Sequence, residues 1–176
     1  EIYDYLKLLY TRIGKTFSPV SGKEVKKDRV TDVIDYVRIL EEGKKLLLVA
    51  PIILEEGRTM EDKVKALAQQ GYARVKIGDN VVRIDELTAN IPDGIQLVVD
   101  RVITKDDEDF YNRLADAAEM AFYEGKGTLF LEDLDTKKIR EFNNRFEMDG
   151  MSFMEPNIHL FSFNNPYGAC PRCEGY

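Results

Sequence analysis

The chain is short of the residues and motifs from which a catalytic function is usually inferred. Its 176 residues include no Trp, two Cys and a single His, His159. It contains no Gly-rich phosphate loop, dinucleotide-binding fingerprint or nucleophile elbow. A lone His between Ile158 and Leu160 is far more often structural than catalytic. No apolar stretch approaches the roughly 18 to 20 residues that span a bilayer. These absences disfavour an enzyme and a membrane protein.

The two cysteines, Cys170 and Cys173, form a Cys-x-x-Cys sequence in a turn rich in Pro and Gly. Two cysteines are too few for a disulfide framework, so we expect a reducing compartment and a cytoplasmic protein. The pair is half of a tetrahedral zinc site, to which His159 could add a third ligand at most. A thioredoxin-like redox pair would begin a helix after a strand, which disfavours redox chemistry here. A self-contained zinc- or redox-active protein using this pair is one hypothesis.

Positive charge is scarce in one region of a chain whose net charge is −7. Residues 104–135 hold ten acidic side chains against three basic ones, Lys105, Arg113 and Lys126. Such a surface repels phosphates, whereas affinity for nucleic acid comes mostly from Lys and Arg that neutralise them. Direct DNA binding by this region is therefore disfavoured. A solvated helix face and a protein-docking surface both remain compatible with the pattern.

Hydrophobic periodicity and turn residues predict an ordered series of helices and strands. The predicted elements are a helix ending at Gly14, a loop over 15–28, a helix capped by Asp28, a buried strand within 46–54, a helix from Thr59 to Gly71, a hairpin over 72–84, a strand over 95–103, a helix from Asp106 or Asp107 to Gly125, and a strand over 127–134. Short β-like pieces follow from about residue 140. We predict an α+β fold in which a mixed, mostly antiparallel sheet carries its helices on one face.

Several segments resemble the UvrA family, the damage-recognition ATPases of bacterial nucleotide excision repair. The tail "LFSFNNPYGACPRCEG" is similar to the segment that leads from a zinc knuckle towards the ATPase signature region. The opening "EIYDYLKLLYTRIG" is similar to the first ATPase half just before an inserted domain. Between them, "LLLVAPII", "QGYARVKIG" and "VVDRVI" resemble landmarks of that insertion, which binds the partner protein UvrB. The resemblance runs in order along the whole chain.

The resemblance implies a division of the chain and a function for it. Residues 1–15 would be a flanking helix of the first ATPase half, 16–138 the UvrB-binding insertion, and 139–176 the return segment. The chain begins with Glu1 and ends beside Cys173, and we expect it to be a piece of a longer protein. It would dock UvrB for delivery to damaged DNA and would neither hydrolyse ATP nor need a cofactor itself. The parent would be an ATPase of the excinuclease ABC system and of the SOS response. It would bind ATP and could bind zinc, contact DNA through other domains, and form a homodimer.

The resemblance also indicates whether Cys170 and Cys173 can bind zinc. Most members have a second Cys-x-x-Cys upstream of the tail pair, but residues 143–156, "NNRFEMDGMSFMEP", contain no cysteine. A Cys-Pro-x-x-Gly-like element of some members corresponds to "SPVSG", where Ser18 and Ser21 stand in the places of thiolates. A serine hydroxyl stays protonated at neutral pH and is a poor zinc ligand. We therefore expect Cys170 and Cys173 to be a half site without metal.

Arg74 and Arg101 are the docking residues that the resemblance implies, since family members use arginines at the matching positions to contact UvrB. Strand alternation places Arg74 on one face together with Tyr72 and Lys76. The residues alone leave two other interpretations open. Arg74 could belong to an ordinary solvated strand face, and Arg101 could pair internally with an acid such as Asp100. Arginine suits docking because its planar fork binds carboxylates through two hydrogen bonds.

Overall fold

The computed structural model describes residues 2–87, 91–92, 94–161 and 172. The chain divides into two compact units. The core unit is the continuous segment Lys27–Arg145, and the flanking unit combines Glu1–Lys26 with Phe146–Tyr176. None of the helices in the described ranges is both long and apolar enough to cross a bilayer.

The elements alternate between helices and short strands along the chain. In order they are α1 (Ile2–Ile13), β1 (Thr16–Phe17), β2 (Glu24–Val25), α2 (Val30–Arg38), β3 (Lys45–Pro51), α3 (Met60–Gln69), β4 (Arg74–Ile77), β5 (Asn80–Arg83), β6 (Gln96–Ile103), α4 (Glu108–Glu124), β7 (Thr128–Asp133), β8 (Ile139–Asn143), β9 (Glu147–Met148) and β10 (Met151–Ser152). A 3₁₀ turn, Ile84–Glu86, follows β5.

A six-stranded sheet forms the centre of the core unit, with strand order β5-β4-β6-β3-β7-β8. Each pair of neighbouring strands in it is antiparallel. The long strands β3 and β6 lie side by side in the middle and pair over Lys45–Pro51 and Gln96–Ile103. The predicted α+β fold with a mostly antiparallel sheet is confirmed.

Alternation along β3 divides the apolar residues between the two faces of the sheet. Leu46 and Leu48 belong to the main hydrophobic cluster, which also contains Leu67 of α3, Leu114 of α4 and Val33 of α2. The helices therefore cover this face, as predicted. A smaller cluster occupies the opposite face, hereafter the helix-free face, and no helix in the described part of the chain contributes to it. Its members are Leu47, Val49 and Val98, with Phe130 and Leu134 packed against them.

Helix starts agree with the predicted capping residues in two cases and differ in one. The Thr59 hydroxyl accepts the backbone N–H of Asp62, and the Asp107 carboxylate accepts that of Phe110. The prediction that Asp28 caps α2 is wrong, because Arg29 occupies that position. The Asp28 carboxylate instead accepts the N–H of Asn143 at 2.8 Å, at the end of β8. This tertiary contact uses the acceptor that a cap would need.

Two parts of the chain are more regular than predicted. The loop over 15–28 contains a two-residue antiparallel pair, β1 with β2. The segment after residue 138 continues the sheet, because β8 pairs with β7 and places Phe142 opposite Leu129. Both of these side chains are buried in the main cluster. The buried strand predicted within 46–54 ends earlier, at Pro51.

The flanking unit is held mainly by polar and aromatic contacts. Helix α1 contains no buried residue. The Tyr3 hydroxyl donates a hydrogen bond to the carbonyl oxygen of Phe161, whose ring lies 6.1 Å from that of Tyr10 between centroids. The hairpin β9–β10 turns at Asp149 and Gly150, both with positive φ.

Candidate docking surface on the helix-free face

Arg74 and Arg101 lie on the same face of the sheet. Val75 is buried against α3, in a cluster with Val64, so its neighbour Arg74 points to the helix-free face. Arg101 lies directly opposite Leu47 of β3, which belongs to the small cluster of that face. Both arginines are exposed. Two residues 27 positions apart in sequence therefore share one surface.

A β-bulge determines the orientation of Arg101. The register between β3 and β6 shifts so that Leu48 lies opposite Asp100 while the next residue, Val49, lies opposite Val98. Val99 is thus the extra residue of the bulge. Strict alternation from Val98 would have sent Arg101 to the helix-covered face. A bulge re-aims the side chains that follow it, and this one returns Arg101 to the helix-free face.

Neither docking candidate has a side-chain partner among the residues that the structure describes. The guanidinium groups of Arg74 and Arg101 form no hydrogen bond or ion pair with any other residue in the described ranges. Other arginines of the core unit are paired with nearby carboxylates, namely Arg38 with Asp35, Arg58 with Glu55, Arg83 with Asp85 and Arg113 with Asp100. In the described residues, Arg74 and Arg101 share the lack of a carboxylate partner with Arg140, which instead lies over the rings of Tyr36 and Phe142. The two arginines implied by the resemblance are therefore exposed cations that a partner's carboxylates could reach.

The neighbourhood of Arg74 is electrostatically unfavourable in the isolated chain. Arg83 of β5 lies directly opposite Arg74, and like charges at such positions destabilise a sheet. Asp85 binds Arg83 through two hydrogen bonds of 2.7 and 3.0 Å. This contact raises the pKa of Arg83 and lowers that of Asp85. No carboxylate in the described part of the chain compensates Arg74 in this way, so a carboxylate from a partner would relieve the repulsion.

Asp100 is engaged elsewhere and does not neutralise the side chain of Arg101. Its carboxylate binds the guanidinium of Arg113 on α4 through hydrogen bonds of 2.8 and 2.9 Å. These hydrogen bonds, followed by the attraction of the opposite charges, raise the pKa of Arg113. Asp100 also accepts the backbone N–H of Arg101. The described structure therefore contains no ion pair between the side chains of Asp100 and Arg101, which was the alternative interpretation of Arg101.

Tyr72 and Lys76, predicted to share a face with Arg74, have different environments. Tyr72 precedes β4, and its ring packs against the main cluster on the helix-covered side, so that part of the prediction is wrong. Burial and the proximity of Glu124 raise the pKa of Tyr72. Lys76 is on the predicted face, but it is buried there in an ion pair with Glu132, whose side chain is 2% exposed. Lys76 therefore contributes no free charge to the surface.

Exposed apolar side chains lie on the same face of the sheet as the arginines. Val81 faces Lys76 across β4 and β5, Ile103 follows Arg101 on the same strand face, and Ile139 lies opposite Glu132. Their exposures are 43%, 52% and 57%. Protein interfaces are enriched in arginine and commonly combine it with apolar area. We call the set Arg74, Val81, Arg101, Ile103 and Ile139 the arginine surface.

The turn that contains Ser18 and Ser21, hereafter the serine turn, lacks the ligands that a zinc ion needs. The hydroxyls of Ser18 and Ser21 both donate to one carboxylate oxygen of Asp149, Ser21 at 2.6 Å. These hydrogen bonds lower the pKa of Asp149. Two protonated hydroxyls bound to a carboxylate replace the thiolates that zinc would need. Within the described ranges, no three His, Cys, Asp or Glu side chains are grouped as a metal site.

The predicted metal residues Cys170 and Cys173 lie outside the described residues. His159, weighed as a third ligand, is described and lies in an exposed turn over 158–161.

Comparisons with known proteins agree with the order of segments along the chain. The model of the UvrA interaction domain matches residues 29–135, which lie within the core unit. The UvrABC system protein A of Staphylococcus epidermidis is 35% identical over 99% of this chain. The proteins of the same name from Methanothermobacter thermautotrophicus and Rickettsia conorii are 33% and 34% identical, again over 99% of it. The chain spans 19–20% of the length of these relatives. The chain therefore belongs to the UvrA family.

Proposed function

We propose that this chain is the docking part of a UvrA protein and binds UvrB through the arginine surface during nucleotide excision repair. The observation that carries the proposal is the pair of exposed guanidinium groups on one sheet face, without a carboxylate partner in the described structure. The names of the matching family and relatives, an interaction domain and a UvrABC system protein, support the same conclusion.

The chemistry of the surface favours a partner that offers carboxylates next to apolar area. Each arginine can bind one carboxylate through two parallel hydrogen bonds. Binding at Arg74 would also relieve its repulsion with Arg83 across the strand pair. The apolar rim of Val81, Ile103 and Ile139 would lose contact with water on binding, which adds a favourable hydrophobic contribution. We infer that UvrB presents carboxylates flanked by apolar area.

The division of labour in the whole protein follows from what this chain contains. It carries no phosphate-binding motif, so ATP hydrolysis, DNA contact and dimerisation are proposed for other parts of the parent. The acidic stretch 104–135 supports this assignment, since it would repel the phosphates of DNA. Delivery of UvrB to damaged DNA would then depend on this chain for attachment and on the remaining parts for energy and damage recognition.

Charge reversal at the two arginines tests the proposal. We expect Arg74→Glu and Arg101→Glu each to weaken binding to purified UvrB about 30-fold or more, because loss of one member of a desolvated charge pair costs about 2–5 kcal/mol. Isothermal titration calorimetry measures the affinity, and circular dichroism and melting should stay close to wild type. Lys65→Glu is the matched control, since Lys65 is an exposed cation on α3 and its reversal should leave the affinity unchanged.

Wild-type affinity in both arginine variants would remove the arginine surface from the interface. A loss of affinity in the Lys65 control as large as in the arginine variants would indicate general charge attraction rather than a defined site.

A further inference from the structure

The buried ion pair between Lys76 and Glu132 spans the helix-free face. Lys76 is on β4 and Glu132 on β7, which are separated in the sheet by β6 and β3. Neighbouring strands lie about 4.8 Å apart, so three steps across a flat sheet measure about 14 Å. The ammonium and carboxylate groups are nevertheless in contact. The two residues are also offset along the strands. Lys76 lies opposite Gln96 and Gln96 opposite Pro51, whereas Glu132 lies opposite Leu47, four residues from Pro51. This offset adds about 13 Å along the strand direction, so the sheet must twist and curve to bring these diagonal positions together over the helix-free face.

Burial makes this ion pair expensive. The side chains of Lys76 and Glu132 are 5% and 2% exposed, and their neighbourhood includes the apolar cluster of Leu47, Val49 and Val98. Removing two charges from water carries a large desolvation penalty, and well-packed apolar residues of similar volume are often equally stabilising or better. The stability of the sheet alone therefore gives no reason to keep charges at these positions.

The two ends of the ion pair are connected to the two arginines. Lys76 is two residues beyond Arg74 on the same face of β4. Glu132 lies opposite Leu47, and Leu47 lies opposite Arg101 in the next strand. Strands β4 and β6 also pair directly, but only through Val75 with Leu97 and Lys76 with Gln96. This short ladder ends before the bulge that precedes Arg101. A contact that holds β4 to β7 therefore adds a second constraint on the position of Arg74 relative to Arg101. A hydrophobic contact would hold the same strands with less directional control, since apolar attraction does not depend on direction.

We infer that the Lys76–Glu132 ion pair sets the curvature at which Arg74 and Arg101 can engage one partner at the same time. Lys76 and Glu132 are then positioning residues for UvrB binding, although neither is exposed enough to touch the partner. This inference rests on the proposed function, which assigns the arginines to the interface. It goes further by separating the residues that contact UvrB from those that hold the contacting residues in place.

Among the described residues, Lys137 is a second titratable group near the Glu132 carboxylate. Its ammonium nitrogen lies 3.8 Å from the second oxygen of Glu132, and its side chain is largely exposed. An exposed lysine at this distance contributes little compared with the buried Lys76. The positioning effect should therefore depend on Lys76 and persist in Lys137→Met.

The decisive variant replaces the charged pair by apolar residues of similar size, Lys76→Met with Glu132→Leu. We expect it to melt within a few degrees of wild type or above, yet to bind UvrB about tenfold more weakly. The control removes a surface ion pair instead, Lys126→Met with Glu55→Leu, a pair 3.4 Å apart and partly exposed. That control should bind as wild type does.

A double-mutant cycle distinguishes positioning from a general loss of structure. Arg74→Ala is measured in the wild-type and in the apolar-pair background, because coupled residues give non-additive effects. We expect the loss of affinity caused by Arg74→Ala to be several-fold smaller in the apolar-pair background, where Arg74 is already misplaced. If the apolar pair fails to fold, Glu132→Gln serves instead, since it keeps the side-chain volume and one acceptor for Lys76. It should bind UvrB measurably more weakly, about threefold or more.

The outcomes separate this inference from the function on which it rests. Wild-type UvrB affinity in the folded apolar pair, or in Glu132→Gln where that variant is used, overturns the positioning role. The positioning role is also overturned if Arg74→Ala lowers UvrB affinity as much in the apolar-pair background as in the wild-type background. Loss of binding in Arg74→Glu and Arg101→Glu would still support docking in that case. A wild-type chain that does not bind UvrB overturns both.

Discussion

The two units of the chain are stabilised by different kinds of contact. In the core unit, three helices and six strands enclose an apolar cluster whose members, such as Leu48, Leu114 and Ala118, are fully buried. In the described part of the flanking unit only Ser18 and Val25 are buried, and Ser18 is tied to a carboxylate. Burial of apolar area is the dominant favourable term in folding. The core unit therefore contains its own source of stability, whereas the flanking unit depends on a few polar bonds.

The largest effect should come from cutting the core unit inside its sheet. A chain of residues 27–145 should retain the cooperative unfolding of the core. A chain ending at residue 138, the boundary that the family resemblance implies, lacks β8 and the buried Phe142. Loss of a buried Phe alone costs about 3–5 kcal/mol, so we expect this shorter chain to be much less stable. Urea unfolding followed by circular dichroism measures the difference, and equal midpoints would show that β8 is dispensable.

Truncation of a single leucine should destabilise the protein much more in the core unit than in the flanking unit. Leu114→Ala removes a fully buried side chain and should lower the free energy of unfolding by about 2–5 kcal/mol. Leu9→Ala is the matched change on α1, where Leu9 is 48% exposed, and should alter it by less than about 0.5 kcal/mol. A comparable loss in both variants would indicate that α1 contributes to the same cooperative core.

A smaller and local effect is expected at the serine turn. Asp149→Ala removes the acceptor of the Ser18 and Ser21 hydroxyls and should increase hydrogen exchange over residues 16–25 without changing the core unit. Asp149→Asn is the control, because its side-chain oxygen still accepts. Unchanged exchange in Asp149→Ala would mean that the backbone bonds of the turn, such as that from Gly22 N–H to the Ser18 carbonyl oxygen, hold it unaided.

The same carboxylate gives the turn a pH dependence of known sign. The hydrogen bonds from the serines lower the pKa of Asp149 in the folded state below its ordinary value of 3.8. A lowered folded-state pKa means that the stabilising contribution is present above the unfolded value and is lost as the pH falls through the folded one. The protection of residues 16–25 against hydrogen exchange, taken relative to the intrinsic exchange rate at each pH, should therefore fall below about pH 4 in wild type and not in Asp149→Ala. If wild type and Asp149→Ala respond equally to acid, titratable groups other than Asp149 are responsible for the response.

The smallest effect on stability is expected when zinc is chelated or the two cysteines are replaced. We predict well under one zinc per purified chain, and no change in melting on Cys170→Ser with Cys173→Ser. Elemental analysis and a melting curve in the presence of a chelator provide the measurement. Stoichiometric zinc would support the alternative of a self-contained zinc protein that uses the two cysteines.

Local chemistry made much of the core unit predictable. Thr59 and Asp107 precede helices as side-chain caps, and the apolar run of β3 has the length of a buried strand. Strand β8 was predicted only as one of several short β-like pieces and not as part of the sheet, because two of the five residues of "IREFN" are charged and only Phe142 indicates burial. Its stability comes from pairing with β7, which no local pattern encodes.

The candidate site was predictable residue by residue but not as a surface. Arg74 and Arg101 could be named, yet their common face depends on a bulge hidden in "VVDRVI", where both faces of the strand are apolar enough to conceal a change of register. The contact between Lys76 and Glu132 joins residues far apart in sequence and depends on the curvature of four strands. Such a contact has no signature in a single sequence.

The bulge at Val99 makes the spacing of residues as informative as their identity. Deletion of this one residue would leave both arginines in the sequence, yet it would turn Arg101 towards α4 and remove it from the surface it shares with Arg74. An alignment column that matches arginine with arginine would record no change. Assigning this site to a relative therefore requires counting the residues of β6 from Val98 to Arg101. A gap there matters more than most substitutions.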